Sequence, residues 1–219
     1  MDDAEHAIDL MAPNSIDCIF TSPTPPSTVD ELKKLLIVFY KCKRVLKRTG
    51  RLWVNISNQY RMQDGGGIMH MAERFVLNME KQGWINRDNL IWYRYPHDKS
   101  KQIDPLRFRH DWEDVYGFTH DTNAYFNDKL GIHTTSIIQC PIENKKKGED
   151  FKSGFPRHIV EICLKSTTRA NDVVLDPFCG SGVTGVVALS LGRHFIGIEI
   201  QDRVYCKKIE RRLSNLVTP

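Results

Sequence analysis

Residues 172–200, DVVLDPFCGSGVTGVVALSLGRHFIGIEI, carry the densest chemistry of the 219-residue chain. Gly180, Gly182 and Gly185 are spaced G-x-G-x-x-G, and Glu199 lies near the offset at which a dinucleotide fold carries its ribose-binding acid. A glycine turn opening a helix aims free N–H groups at a ligand. Asp176 and Pro177 precede those glycines. A carboxylate there repels a pyrophosphate but suits the ammonium group of an amino-acid-like cofactor. The plainer alternative is a glycine-rich turn with no ligand at all.

The elements that must position this loop follow from the surrounding pattern. Asp172–Leu175 is a valine-rich run that reads as a buried strand, Val183–Leu191 as an apolar helix and Phe195–Ile200 as a second strand. Strand, helix and strand make a βαβ unit, so the two strands are parallel and the loop faces the crevice at their carboxyl ends. Few residues follow Gly185, so the rest of the sheet has to come from earlier in the chain.

Upstream, Ile16–Thr21 reads as a strand that stops at Ser22-Pro23-Thr24-Pro25-Pro26, a rigid turn that cannot continue a ladder. Ser27–Asp30 offers caps for a helix to about Leu46, Gly50 ends the connection, and Leu52–Ile56 is the next strand. Asn58–Gly67, with three consecutive glycines, is a loop candidate beside that turn. A helix is expected over 68–82, strands over 89–94 and 113–119, and a helix opening at Phe155-Pro156. Residues 120–153 are poorly patterned.

Composition sets outer bounds. A hydrophobic share of 41% and a charged share of 26% are those of a soluble globular protein, and the length suits one domain. No apolar run approaches the ~20 residues of a membrane span, and the N-terminus lacks a signal peptide's regions, so an intracellular location is expected. The six cysteines form no C-x-x-C pair and read as reduced, buried thiols. Net charge is only +4, but nine Lys or Arg against one acid fall between Glu31 and Arg61, and Lys145, Lys146 and Lys147 make a second cluster. Either suits phosphate contact, although charge runs are commonly solvated faces. His97, His110, His120 and His133 fit no common metal-ligand spacing, so no metal is expected.

DPFCGSGVTG followed by GRHFIGIEI resembles the cofactor motifs D-P-F-x-G-S-G-T-T and G-x-x-F-I-G-I-E of amino-directed DNA methyltransferases. Val183 and Gly185 replace common residues of that pattern. Arg44–Gly50 resembles the family's R-V-L-K-x-x-G helix end, Glu113–Thr119 its Y-E-x-I-x-x-F strand, and Phe155-Pro156 its Phe-Pro helix. The turn departs from Ser-Pro-Pro-aromatic or Asp-Pro-Pro-aromatic: Thr24 and Pro25 occupy the places of the second proline and the aromatic.

The resemblance implies an α/β fold with a doubly wound, mostly parallel, Rossmann-like sheet of the S-adenosylmethionine-dependent type. The catalytic turn then precedes the cofactor motif, the β arrangement of these enzymes. Residues 1–219 form one domain in this reading, with 95–153 as an embedded target-recognition region. S-adenosylmethionine is the implied cofactor, held by Asp176, Pro177, Phe178, Cys179, Gly180, Ser181, Gly182, Glu199, Phe155 and Pro156. Ser22, Pro23, Thr24 and Pro25 are the implied catalytic turn. DNA is the implied partner, contacted by Tyr60, Arg61, Arg107, Arg109 and Lys145–Lys147. A second copy of the chain and a restriction endonuclease of the same system are further candidate partners.

The chemistry is demanding because an exocyclic amino group has its lone pair delocalised into the ring. The site must localise that pair and align it with the sulfonium methyl group, on a base flipped out of the duplex. Ser22 Oγ and the Pro23 carbonyl are the expected acceptors for the amino hydrogens. Ser22 in place of Asp resembles the N4-cytosine branch, with adenine N6 as the alternative. A non-catalytic DNA-binding relative and a nicotinamide oxidoreductase are the readings from other classes. Ring-carbon methylation needs a Pro-Cys dipeptide in that family, and none occurs here.

Overall fold

The computed structural model describes residues 2–60, 67–95, 108, 110–127, 135–141, 155–200 and 203–214. Their elements run in the order α1 (Asp2–Asp9), β1 (Ile16–Thr21), α2 (Val29–Val45), β2 (Leu46–Ile56), α3 (Met71–Lys81), β3 (Ile85–Tyr93), β4 (Trp112–Thr119), β5 (Ile137–Gln139), α4 (Arg157–Thr167), β6 (Val173–Asp176), α5 (Val183–Ser190), β7 (His194–Gly197) and α6 (Arg203–Ser214). The strands form one seven-stranded sheet in the order β5-β3-β4-β2-β1-β6-β7. β4 pairs antiparallel with both neighbours, while the other pairs are parallel. The doubly wound, mostly parallel sheet expected from the sequence is therefore what the chain forms.

Each face of the sheet is covered by helices. On one side α2 and α3 bury Leu35, Phe39, Phe75 and Met79 against Ile19, Val54 and Phe118. On the other, α4 and α5 bury Ile159, Cys163, Val187 and Ala188 against Cys18, Phe20, Trp53 and Val174. Strands buried on both faces read as near-continuous apolar runs, which is why β1 is legible as IDCIFT. α2 begins at Thr28, whose hydroxyl accepts from the Glu31 N–H at 3.1 Å, while Glu31 accepts from Ser27 N and Oγ at 2.7 and 2.8 Å. Those contacts tie up the helix's first donors.

Several boundaries differ from those expected of the sequence. β2 starts at Leu46, not Leu52, because α2 passes directly into extended backbone at its C-cap. Its first residues bulge around Asp17, whose carboxylate takes Lys47 Nζ at 2.6 Å and the Val173 N–H at 2.9 Å. β3 starts at Ile85 within a run of Asn, Arg and Asp, residues that mask strand propensity. It is carried there by its ladder with β4 and by Asp88, which pairs with the buried Arg51 guanidinium. β7 ends at Gly197 instead of Ile200, which leaves Glu199 in the loop beyond it. α1, β5 and α6 are elements not expected from the sequence. The strands β4 and β5 both come from within 95–153, so part of that region builds the sheet itself.

The first basic cluster is largely engaged inside the protein. Lys41 pairs with Glu5 and Asp9, Lys47 with Asp17, Arg48 with Asp121, and Arg51 with Asp88. Lys43 donates to the carbonyls of Gln82 and Gly83, and Arg44 to those of Ile8, Asp9 and Met11. Five of the cysteines are buried, Cys206 is half-buried, and all six are free thiols. Among the described residues no helix is long and apolar enough to cross a membrane.

Trp53 ties the sheet to α4, since its indole N–H donates to Thr167 Oγ1 at 3.2 Å while its ring lies on Gly117 of β4. A Cβ on Gly117 would stand 2.6 Å from that ring. Gly117→Ala should therefore destabilise the fold by about 1–3 kcal/mol through overpacking. Urea unfolding of the variant beside the wild type measures this, and an unchanged midpoint would contradict the packing.

Candidate active site

The parallel strands β1, β2, β6 and β7 all end on one edge of the sheet, and the chemistry-bearing residues collect there. A cavity at this edge is lined by Phe20, Ser22, Phe155, Val160, Asp176, Phe178, Cys179, Gly180, Ser181, Val183 and Thr184. It joins the turn after β1 to the loop after β6, although the two are about 150 residues apart in sequence. Crevices at the carboxyl ends of such strands are the ligand positions of open α/β sheets.

The loop from Asp176 to Gly182 is held on every side. Its glycines permit the turn, with Gly180 at φ +51° and Gly182 at φ +77°, a region costly for other residues. The Cys179 N–H donates to Ile198 O at 2.9 Å and the Ile198 N–H to Asp176 O at 2.9 Å, which pins the loop to the segment after β7. Glu199 on that segment accepts from the Gly180 N–H at 2.7 Å. From α6, Arg212 donates to the Ser181 carbonyl at 2.6 Å, while Ile209 packs against Gly182. Gly185 lets α5 lie directly on Phe195, since a Cβ there would be 2.6 Å from the ring.

Asp176 is 3% exposed and accepts from Thr184 Oγ1 at 2.6 Å and from the Phe178 N–H at 3.1 Å. Burial raises its pKa to about 6, with Glu199 adding to the rise and the Thr184 hydroxyl and Phe178 amide opposing it. The buried Thr21 hydroxyl is near enough to favour the charged form, yet makes no hydrogen bond of its own. Burial with the Asp176 and Glu199 charges pushes the Cys179 thiol well above its ordinary range, so Cys179 is an inert wall.

On the other side of the cavity, Ser22 Oγ donates to Asn55 Oδ1 at 2.8 Å. The Asn55 amide is fixed in turn, because its Nδ2 donates to Asp114 O at 3.0 Å and to Glu113 Oε2 at 3.2 Å. Glu113 also accepts from Arg94 Nη1 at 3.0 Å. With the hydroxyl proton engaged by Asn55, the oxygen of Ser22 turns its lone pairs outward and acts as an acceptor. Pro23 and Pro26 are buried, Pro25 is half-buried, and Thr24 is exposed. Pro25 O accepts from Gln59 Nε2 at 3.2 Å, which joins the turn to the segment after β2.

Phe155 and Pro156 sit at the start of α4, with Pro156 as its N-cap. The Phe155 ring packs on Phe20 at 5.5 Å and Trp92 at 5.2 Å, making an apolar wall. Pro156, Pro177, Gly182 and Glu199 are not among the residues that line the cavity, and neither are Pro23, Thr24 and Pro25. Tyr60 is further along the same edge, against His110 at 6.2 Å. Arg61, Arg107, Arg109, Lys145, Lys146 and Lys147 lie outside the described residues, as do His97 and His133. Asn55, Thr184 and Phe20 join the site without having been expected there. Thr184 is visible inside the glycine motif, but Asn55 meets Ser22 only through strand register.

A pH dependence follows from Asp176. Its unfolded carboxyl ionises near 3.8 and its folded one near 6, so between those values the folded chain holds the extra proton. Stability from this group is thus greatest below about 3.8 and declines as pH rises through 6. Urea unfolding across pH 4–7 should show Asp176→Asn losing that decline, and an identical slope in wild type and variant would contradict it.

Residues 27–211 match the sequence profile of the N6/N4 methyltransferase family, described as DNA methylase. A Haemophilus influenzae type II methyltransferase, M.HinfI, is 30% identical over a 193-residue alignment that covers 80% of this chain and 49% of that protein. The chain therefore spans about half the length of this curated relative. M.Cfr9I of Citrobacter freundii is 24% identical over 90% of this chain and 81% of its own length. Among solved structures, the cytosine-N4-specific PvuII DNA methyltransferase superposes with a TM-score of 0.82 at 16% identity, covering 98% of this chain and 88% of that one. M1.HpyAVI, solved with S-adenosylmethionine, gives 0.72 at 21% identity over 96% of each chain. With a profile that spans most of its length and this sheet, loop and turn, the chain belongs to the N6/N4 DNA methylase family.

Proposed function

We propose that the chain transfers the methyl group of S-adenosylmethionine to an amino group of a DNA base, and that this group is cytosine N4. The observation that carries the reading is the Ser22–Asn55 hydrogen bond at the mouth of the Asp176 loop. It presents a hydroxyl oxygen as an acceptor within the cavity that the cofactor loop also lines. The residues fit the cofactor on the chemistry of the donor set. A buried carboxylate with its pKa lifted to about 6 is completed by a cation such as the cofactor's ammonium group.

When bound, S-adenosylmethionine supplies an electrophilic methyl group on a sulfonium. Asp176 binds the ammonium end, Glu199 the ribose hydroxyls, and Phe178 to Gly182 shape the wall around them. Phe155 and Pro156 close the methionine side and exclude water. Ser22 Oγ and the Pro23 carbonyl accept the two amino hydrogens of the base, localising its lone pair toward the methyl group. Asn55 holds Ser22 in the acceptor orientation. Arg61, Arg107, Arg109 and Lys145–Lys147 are the proposed phosphate contacts, and the parts of 95–153 outside β4 and β5 the proposed target reader. A restriction endonuclease of the same system is the expected companion of such a protein.

Single-turnover methylation of DNA followed by nucleoside mass spectrometry tests the reading. The wild type should yield N4-methylcytosine, and N6-methyladenine as the sole product would overturn the base assignment. Ser22→Ala should lose activity by about 100-fold or more while binding S-adenosylmethionine normally, because the hydroxyl acts on the base. Wild-type turnover in that variant would overturn the mechanism. Separately, alanine at the proposed phosphate-binding residues should reduce the salt dependence of DNA affinity, by about 0.9 in log–log slope for each phosphate no longer neutralised.

A further inference from the structure

The turn Ser22-Pro23-Thr24-Pro25-Pro26 contains no aromatic side chain. A base lifted out of a duplex loses its stacking partners and needs a replacement π-face. Aromatic rings gather at the same edge of the sheet, on other segments. β2 and β4 pair antiparallel with Ile56 opposite Asp114, so the chain leaving β2 and the chain entering β4 emerge side by side. Tyr60 lies on the first of these, and His110 and Trp112 on the second. The His110 ring meets Tyr60 edge-on at 6.2 Å and Trp112 at 4.7 Å.

We propose that Tyr60, His110 and Trp112 form the aromatic platform that receives the extruded target base, in place of an aromatic in the Ser22–Pro26 turn. The inference rests on the DNA-methylating reading above.

Three observations support it. Trp112 is 39% exposed, whereas the other tryptophans, Trp53, Trp84 and Trp92, are 2%, 2% and 4% exposed. A tryptophan serving the core would be buried like these three. Second, the segments that carry the rings are tied to the turn at adjacent positions. Gln59, next to Tyr60, donates to Pro25 O at 3.2 Å, and Glu113, next to Trp112, holds the Asn55 amide that orients Ser22. Third, the cluster is braced. Arg94 donates from its backbone to Asp111 O at 2.8 Å and from its guanidinium to the His110 carbonyl and to Glu113. Burial and the adjacent Arg94 lower the His110 pKa against an opposing contribution from Asp111, and that lowering favours the neutral ring.

The test uses the full chain, S-adenosylmethionine and DNA free of amino methylation, with a short target duplex chosen from the positions that become methylated. Trp112→Ala and Tyr60→Ala should lower kcat/KM for DNA on the order of tenfold or more, the scale of stacking between one base and one aromatic ring. Cofactor affinity by calorimetry and the melting temperature should be unchanged, and Trp112→Phe should recover most of the turnover. Tryptophan emission should be quenched when the target duplex is added with S-adenosylhomocysteine, and Trp112→Phe should abolish that quenching. Wild-type kcat/KM in both alanine variants, or emission of the wild type unaltered by the duplex, would overturn the platform alone. Absence of methyl transfer to DNA by the wild type would overturn the functional reading, and the platform with it.

Discussion

Strand β1 lies between β2 and β6 with all three running in the same direction, and the site depends on that pairing. Thr21 is in register with Val54, so the next residues along, Ser22 and Asn55, emerge beside each other. Ile19 is in register with Leu175, which puts the Asp176 loop on the other flank of the same turn. The parallel pairs β1–β2 and β6–β7 are joined by crossover helices, α2 against one face and α5 against the other. Hence α2 and α3 on one side and α4 and α5 on the other are conditions for the site as much as for the core.

Within that frame the two halves of the cavity are electrostatically distinct. The Asp176 side is a carboxylate driven into an apolar wall, stabilised by a hydroxyl and an amide but still disfavoured as a charge. A cation bound there recovers part of the desolvation cost that folding imposed. The Ser22 side is a hydrogen-bond chain through Asn55, Glu113 and Arg94, in which each group fixes the orientation of the next. One half is therefore suited to binding charge and the other to directing a neutral lone pair. A methyl transfer between a cationic donor and a neutral amine calls for both.

Charge is also distributed with a division of labour. The basic run from Lys33 to Arg51 has the composition of a surface for phosphate. Most of its side chains instead hold α1, β1, β3 and the turn after α3 in place through carboxylates and carbonyls. Cations paired in this way release fewer counterions on meeting DNA.

How much of this was legible in the residues depended on whether the signal was local. The loop Asp176–Gly182, the strands Ile16–Thr21 and Val173–Asp176 and the helix over Val183–Ser190 were determined by glycine spacing, proline stops and apolar runs, all within a few residues of one another. The family resemblance rested on the same short segments. β5, a three-residue strand in an unpatterned stretch, exists only because β3 offers it an edge, and the Asn-Arg-Asp start of β3 is extended only because β4 pairs with it. Asn55 was one polar residue in a buried strand, and Trp112 one aromatic in a chain that is 10% aromatic. Neither differs locally from a residue of the core. The tertiary structure alone decided their placement, because strand register and antiparallel pairing bring together positions separated by tens of residues, a geometry that periodicity along the chain does not encode.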